Sequence, residues 1–322
     1  MKIAVTSRSF SRHPTLRHEL TTRFPNALVT FNDSGASLGG DALLAFLRGH
    51  DHAVTALETL DRQVFDHVPE LGVIAKYGVG LDMLDLPEMS RRGLRLGWRG
   101  GVNRRSVAEL VIAFAIATLR LVPQANALIR EGQWRQLMGR QLSGRVFGIV
   151  GCGHIGKDLA VLLRAFGCTV LVNDILDFPD FYALNGLEAV DLETLLRQSE
   201  IVSLHLPAGK GTRGLLSAER LALMRPDAIL INTARGGVVD EVALRTLLEN
   251  GHLAAAAFDV FTVEPPQDGK LLSLPNFLAT PHIGGSAEEA VLAMGRAAID
   301  GLIDHEVPRP GSEVWRAAGL DD

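Results

Sequence analysis

Cysteine is nearly absent from these 322 residues. Only Cys152 and Cys168 occur, and two thiols cannot build a disulfide framework, so a reducing compartment is expected. A basic excess is absent too: 32 Lys and Arg stand against 37 Asp and Glu, a net charge of -5. That balance argues against a dedicated nucleic-acid binder. Long apolar runs are also missing. The richest stretch, Val107 to Val122, is interrupted by Glu109 and Arg120 and falls short of the about 20 uncharged residues of a membrane span. The opening run Ile3-Ala4-Val5 is stopped by Arg8, too short for a signal-peptide core. No solenoid-period repeat or low-complexity tract interrupts the chain, and no metal site is expected. A cytoplasmic protein that engages neither membrane nor nucleic acid is the expectation.

What is present is an ordinary globular composition, 47% hydrophobic and 21% charged. At roughly 150 residues per domain, the length suggests two domains. Short apolar runs at Ile3–Val5, Leu28-Val29, Ala53–Leu57 and Leu71–Ala75 alternate with helical stretches at Thr15–Arg23 and Asp41–Arg48. Alternation of this kind predicts parallel βαβ units. Asn103 to Arg130 reads as one long apolar helix that Pro123 should kink. A second series follows, with strands at Arg145–Val150, Thr169–Asn173, Ile201–Leu206, Ala228–Asn232, Ala255–Phe258 and Phe277–Ala279. Two α/β domains are predicted, one formed by 1–101 plus 287–322 and the other by 102–286.

The string Gly151-Cys152-Gly153-His154-Ile155-Gly156 matches G-x-G-x-x-G directly after the apolar run Val146–Val150 and before a helical pattern. Gly151 permits the tight turn, Gly153 lets backbone approach a pyrophosphate, and Gly156 lets helix pack on strand. The N–H groups at the helix start then hold the phosphate. Asp174 ends the next strand 21 residues beyond Gly153, the spacing of a ribose-binding acid, and no Arg or Lys occurs from Asn173 to Asp180. A carboxylate there repels a 2′-phosphate, so NAD is favoured over NADP. The bland alternative is a glycine-rich turn with an ordinary surface Asp. His154 reads as a solvated loop residue and Cys152 as a small residue at a variable position.

Three further segments follow successive strands: Asn232-Thr233-Ala234-Arg235-Gly236-Gly237, Asp259–Pro265 containing Glu264, and Thr280-Pro281-His282. Loops leaving the carboxyl ends of a doubly wound sheet converge on one crevice. A guanidinium, a carboxylate and an imidazole could therefore meet beside a nicotinamide. Each has a bland alternative: a helix-start arginine, a solvated loop acid, a buried histidine bonded to a carbonyl. Together with Lys76-Tyr77-Gly78-Val79-Gly80 and Ser106-Val107-Ala108-Glu109, these segments resemble the D-isomer-specific 2-hydroxyacid dehydrogenases over nearly the whole chain.

The resemblance implies an α/β fold of two doubly wound parallel-sheet domains, a Rossmann NAD-binding domain and a flavodoxin-like substrate domain. It also implies roles that the chemistry supports. Arg235 would grip a substrate carboxylate and 2-oxo oxygen. His282 would be the general acid and base, and Glu264 would orient its imidazole and favour the imidazolium. His205, Pro207, Thr212, Thr233, Ala234 and Asp259 would lie near the cofactor, beside Gly151, Gly153, His154, Ile155, Gly156 and Asp174. Lys76, Tyr77, Gly78, Val79 and Gly80 would form a substrate-anchoring loop, with the N–H groups of Val79 and Gly80 as a carboxylate cradle. Lys76 would either touch an anionic substrate or merely cover the surface. Met83 departs from the family, which has Asn after the acid at Asp82. The implied activity is NAD-dependent interconversion of a D-2-hydroxy acid and its 2-oxo acid, with D-3-phosphoglycerate first, hydroxypyruvate or glyoxylate next, and phosphite oxidation a rival. A non-enzymatic NAD-sensing corepressor is the alternative of another class. A homodimer through the apolar helix and the Trp134 region is expected.

Overall fold

The computed structural model describes residues 1–320 and divides into two compact units, residues 1–103 with the segment from Ser286 onward, and Arg104–Gly285. The first unit holds five strands, β1 (Lys2–Val5), β2 (Leu28–Phe31), β3 (His52–Thr55), β4 (Val73–Lys76) and β5 (Arg95–Gly97). They form one parallel sheet in the order β2-β1-β3-β4-β5. Sequence order reverses between β1 and β3, so both lie at a topological switch point, where loops at the carboxyl edge diverge and leave a crevice. All four residues of β4 are buried, as expected of a parallel strand covered on both faces.

β5 carries no sequence signal of its own, being only Arg-Leu-Gly. It forms because of what it meets. Gly97 lies against Gly301, at the end of the helix Glu288–Gly301, so closely that a Cβ at 97 would sit 2.0 Å from the Gly301 carbonyl oxygen. Paired glycines let that helix, some two hundred residues away in sequence, lie directly on the strand.

The second unit is a seven-stranded parallel sheet: β6 (Val146–Val150), β7 (Thr169–Asn173), β8 (Glu188–Ala189), β9 (Ile201–Leu204), β10 (Ile229–Asn232), β11 (Ala255–Phe258) and β12 (Phe277–Ala279). Its order is β12-β11-β10-β9-β6-β7-β8. The central strands read Ile-Val-Ser-Leu, Ile-Leu-Ile-Asn and Ala-Ala-Ala-Phe and are fully buried. Helix Arg104–Leu119 buries Val107, Ala108, Val111, Phe114 and Ala115 and joins the core that also holds Phe147, Ile149, Leu159 and Ile231.

The long helix expected over 103–130 is instead two, Arg104–Leu119 and Val122–Arg130, bent by 62°. The break precedes Pro123. Leu121 takes a left-handed conformation with φ 54°, and Pro123 occupies the first turn of the second helix, where its missing N–H costs nothing. The Arg140 N–H donates to the Leu119 carbonyl at 2.8 Å and stops the first helix. Among the described residues no single helix is long and apolar enough to cross a membrane.

Register decides what the second sheet can do. Asn173 pairs with Val150, Val150 with Leu204, Leu204 with Asn232, Asn232 with Phe258, and Phe258 with Ala279. The last residues of six parallel strands thus stand in one transverse row. The residue following each is Asp174, Gly151, His205, Thr233, Asp259 and Thr280.

Replacing Gly97 by Ala is expected to destabilise the protein by about 3 kcal/mol in urea unfolding, because backbone cannot yield as a side-chain tip can. Gly269→Ala, which projects a methyl group into open space, should stay within about 0.5 kcal/mol of wild type.

Candidate active site

The row above is the floor of the site. At its centre, β6 runs into the turn Gly151–Gly153 and the helix His154–Ala165. A Cβ at 151 would strike the His205 carbonyl oxygen at 2.3 Å and one at 156 the Gly151 carbonyl oxygen at 2.1 Å, whereas one at 153 would meet nothing within 4 Å. The turn is thus closed behind and open in front of Gly153. No side chain caps the start of this 12-residue helix. Backbone N–H groups at such a helix start are the kind that bind anions.

Asp174 is fixed by two backbone donors, Cys152 N–H to Oδ2 at 2.5 Å and Leu176 N–H to Oδ1 at 2.8 Å. The first bond ties the acid to the glycine turn and the second to its own loop. The neighbouring Ile175 is 99% exposed, with Leu176 also exposed beside it, an apolar pair just past the strand end that no sequence motif marks. Burial and the Asp174 charge push the Cys152 thiol up to about 11, so it stays protonated and packs as a small apolar group.

His205 Nε2 lies 2.9 Å from Ser203 Oγ, while Nδ1 is buried without a partner. Burial pulls its imidazole down to about 3, so it is neutral. Thr233 Oγ1, next along the row, is likewise buried and unpartnered. Two orphaned polar atoms beside an open glycine turn fit a polar ligand laid along the row. The Thr212 hydroxyl donates to the Pro207 carbonyl at 2.7 Å, so both residues shape the loop 207–212 through each other.

The remaining loops are built from the backbone outward. The Asn232 side chain accepts from Ala234 N–H at 3.1 Å and donates to the Arg235 carbonyl at 3.0 Å, closing the turn that presents Arg235. A Cβ at Gly236 would lie 1.9 Å from the Phe261 carbonyl oxygen, so only glycine lets this turn rest on the next loop. There, Glu264 Oε1 accepts from Phe261 N–H at 3.1 Å, and Oε2 lies 2.9 Å from His282 Nδ1. His282 is held at φ 55°, unusual for a residue other than glycine. Its N–H donates to the Asp259 carbonyl at 2.9 Å. The Asp259 carboxylate is buried and accepts from Thr280 Oγ1 at 2.5 Å, Ile283 N–H at 2.7 Å and Gly284 N–H at 2.7 Å. Asp259 therefore organises the loop that carries His282. Backbone strain of this kind clusters at functional sites.

In the first unit, Lys76 is not a loop or surface residue. It is the last residue of β4 and 3% exposed, and its Nζ donates to the carbonyls of Ala56 at 2.6 Å and Tyr77 at 3.2 Å. Tyr77 turns inward as well, packing edge-on against Phe10 with ring centroids 5.5 Å apart. Burial raises its phenol. Of the expected anchoring loop only Gly78, Val79 and Gly80 stay partly exposed.

A seven-stranded parallel sheet with an open glycine turn, a fixed acid one strand away and a carboxylate–imidazole pair at the same edge defines a nicotinamide-dinucleotide oxidoreductase. Residues 112–284 match the D-isomer specific 2-hydroxyacid dehydrogenase family over its NAD binding domain, and the chain belongs to that family. It is 36% identical over 271 residues to a glyoxylate reductase of Thermococcus litoralis, covering 81% of this chain and 82% of that protein. It is 38% identical over 241 residues to a D-3-phosphoglycerate dehydrogenase of Bacillus subtilis, covering 74% of this chain and 46% of that one. The chain thus spans about half the length of the phosphoglycerate dehydrogenases it matches. A crystal structure from Polaromonas sp. JS6 66, ascribed to the same family, superposes with a TM-score of 0.84 at 29% identity over 94% of each chain.

His205 gives the protein a pH dependence. Its folded value of about 3 lies below the ordinary 6.5, so the unfolded chain takes up the extra proton first as pH falls. The stability concerned is complete above pH 6.5 and is lost toward pH 3, by about 1.4 kcal/mol per unit in that window. Urea unfolding of His205→Gln at pH 6 and 4.5 should lack that part of the wild-type slope.

Proposed function

We propose that the protein reduces a small 2-oxo acid to its D-2-hydroxy acid with NADH, and runs the reverse oxidation with NAD. The observation that carries this reading is the His282 Nδ1–Glu264 pair at 2.9 Å, on a loop held at positive φ, at the same sheet edge as the glycine turn. Because Glu264 engages Nδ1, Nε2 is the nitrogen left to work. It would donate a proton to the oxo oxygen in reduction and take one from the hydroxyl in oxidation. The carboxylate beside the ring fixes its orientation and tautomer. Arg235 would hold the substrate carboxylate and polarise the oxo group, as a planar fork suits both.

Bound NAD(H) supplies or accepts the hydride. The first N–H groups after Gly153 would hold its pyrophosphate, the Asp174 carboxylate its ribose hydroxyls, and Ile175 the adenine face. His205, Thr233 and Ala234 would line the floor. The anchored Asp174, with no Arg or Lys from 173 to 180, favours NAD over NADP by repelling a 2′-phosphate.

Among substrates, glyoxylate and hydroxypyruvate come ahead of a phosphorylated acid. The cation that would recommend a phosphate, Lys76, is buried on two carbonyls. The glyoxylate reductase named above also matches over most of its length. A homodimer is part of the same reading. Trp134 is 88% and Met138 94% exposed on one segment with Ile129, an apolar surface that a second copy of the chain would cover.

The test is a panel of glyoxylate, hydroxypyruvate, phosphohydroxypyruvate and pyruvate with NADH and NADPH, plus phosphite with NAD. Turnover of the first two, at least about tenfold faster with NADH, is expected. His282→Ala should lower kcat about a thousandfold and leave NADH affinity within about threefold. Failure across the 2-oxo acids with NADH still bound would overturn the proposal, in favour of phosphite oxidation or a sensor role. In sedimentation, wild type should run as a dimer and Trp134→Glu with Met138→Glu as a monomer; a monomeric wild type removes the interface.

A further inference from the structure

The carboxyl edge of the first unit holds a polar group that no role above uses. Lys76 Nζ lies directly beneath the loop that follows β4. A Cβ at Gly78, whose φ is 119°, would sit 3.1 Å from it. The ammonium holds the Ala56 carbonyl, on the loop after β3, and the Tyr77 carbonyl, on the loop after β4. Both peptides are trans. In a planar trans peptide the N–H points opposite to the C=O. Drawing these two carbonyls down onto the ammonium therefore turns the N–H groups of Leu57 and Gly78 away from it.

Those donors are unused. Among the described residues, the N–H groups of Leu57, Gly78, Val79 and Gly80 donate to no group of the chain. Leu57 is 75% exposed and residues 78–80 are partly exposed. Four unpaired donors on two neighbouring loops, with the Lys76 amino group underneath, make a concavity for an anion. The loops are also held from the side. Glu58 accepts from Ala56 N–H at 2.7 Å, and Trp98 Nε1 donates to the Val79 carbonyl at 2.9 Å, which ties a third peptide of the rim.

We infer that Lys76 is a positioning residue for substrate binding: without touching the substrate, it sets the Leu57 and Gly78 peptides so that their N–H groups join those of Val79 and Gly80 around the substrate carboxylate. This rests on the 2-oxo-acid reading and narrows it. The four N–H groups suit one carboxylate, and Lys76 acts from beneath them through the two carbonyls it holds. Glycine at 78 suits the backbone there, whose φ is 119°, and a Cβ would press on the Lys76 Nζ at 3.1 Å.

Lys76→Met keeps the length and apolar stem of the side chain and removes its charge and donors. With glyoxylate and NADH, KM and the inhibition constant for oxalate should each rise about tenfold or more, while kcat and NADH affinity stay within about threefold of wild type. Unchanged KM and oxalate inhibition, or a fall confined to kcat, would overturn the inference. A second measurement needs no variant. In wild-type protein with NADH, oxalate should shift the backbone amide resonances of Leu57 and Gly78 together with those of Val79 and Gly80. Movement of Val79 and Gly80 alone, or of none of the four, would also overturn it. If wild type turns over no 2-oxo acid, the functional reading fails on its own, and the amide titration still decides the cradle.

Discussion

The parallel register of the second sheet is the constraint on which the rest depends. Six strands end at the same level, so the six residues that follow them are delivered to one line before any side chain has formed a bond. A parallel ladder permits this because every chain leaves the sheet in the same direction. Asp174, the glycine turn, His205, Thr233, Asp259 and Thr280 are neighbours for that reason alone. What the loops then add is local. Asn232 closes one turn, Asp259 folds another, and Glu264 aims the imidazole. A one-residue slip in any strand would remove its contribution from the line.

Carboxylates bonded to backbone N–H groups shape the loops that carry the working groups, and the exposed Glu264–His282 pair then sets the imidazole. The Asp259 carboxylate binds three loop donors and Asp174 binds two, all within the second unit. Such charge-assisted bonds to backbone are short and stiff, and losing one leaves a buried donor unsatisfied. The guanidinium–carboxylate pairs at the surface, such as Arg296 with Glu19, are of the exposed kind that contributes little. Precision at the site therefore comes from peptide groups, which is why so many glycines and short polar side chains are gathered there.

Much of the fold can be read directly from the residues. Strands buried on both faces leave continuous apolar runs, and β6, β7, β10 and β11 stand out for that reason. The two-unit division follows from the alternation of such runs with helices. Features fixed by distant or conformational causes leave no such trace. β5 exists because Gly97 fits Gly301, and nothing near Gly97 announces that partner. The helix break at Leu121 reflects a left-handed backbone at a residue type that rarely adopts it, while Pro123 draws the eye two positions too far. Lys76 misleads because a lysine at a strand end normally reaches water, whereas here two carbonyls offer it a closer partner. The identities of Arg235, Glu264 and His282 stand out by their Gly- and Pro-flanked settings. The positive φ of His282 and the support from Asp259 do not, since both depend on how three loops stack.

The stacking of Gly236 on Phe261 has a consequence for how such proteins diverge. At that contact two main chains touch with no side chain between them, so the backbone of the segment bearing the guanidinium and that of the segment bearing the carboxylate fit only as a matched pair. A chimera that borrows 232–237 from a relative must borrow 259–264 with it, or lose the alignment of the imidazole on the third loop.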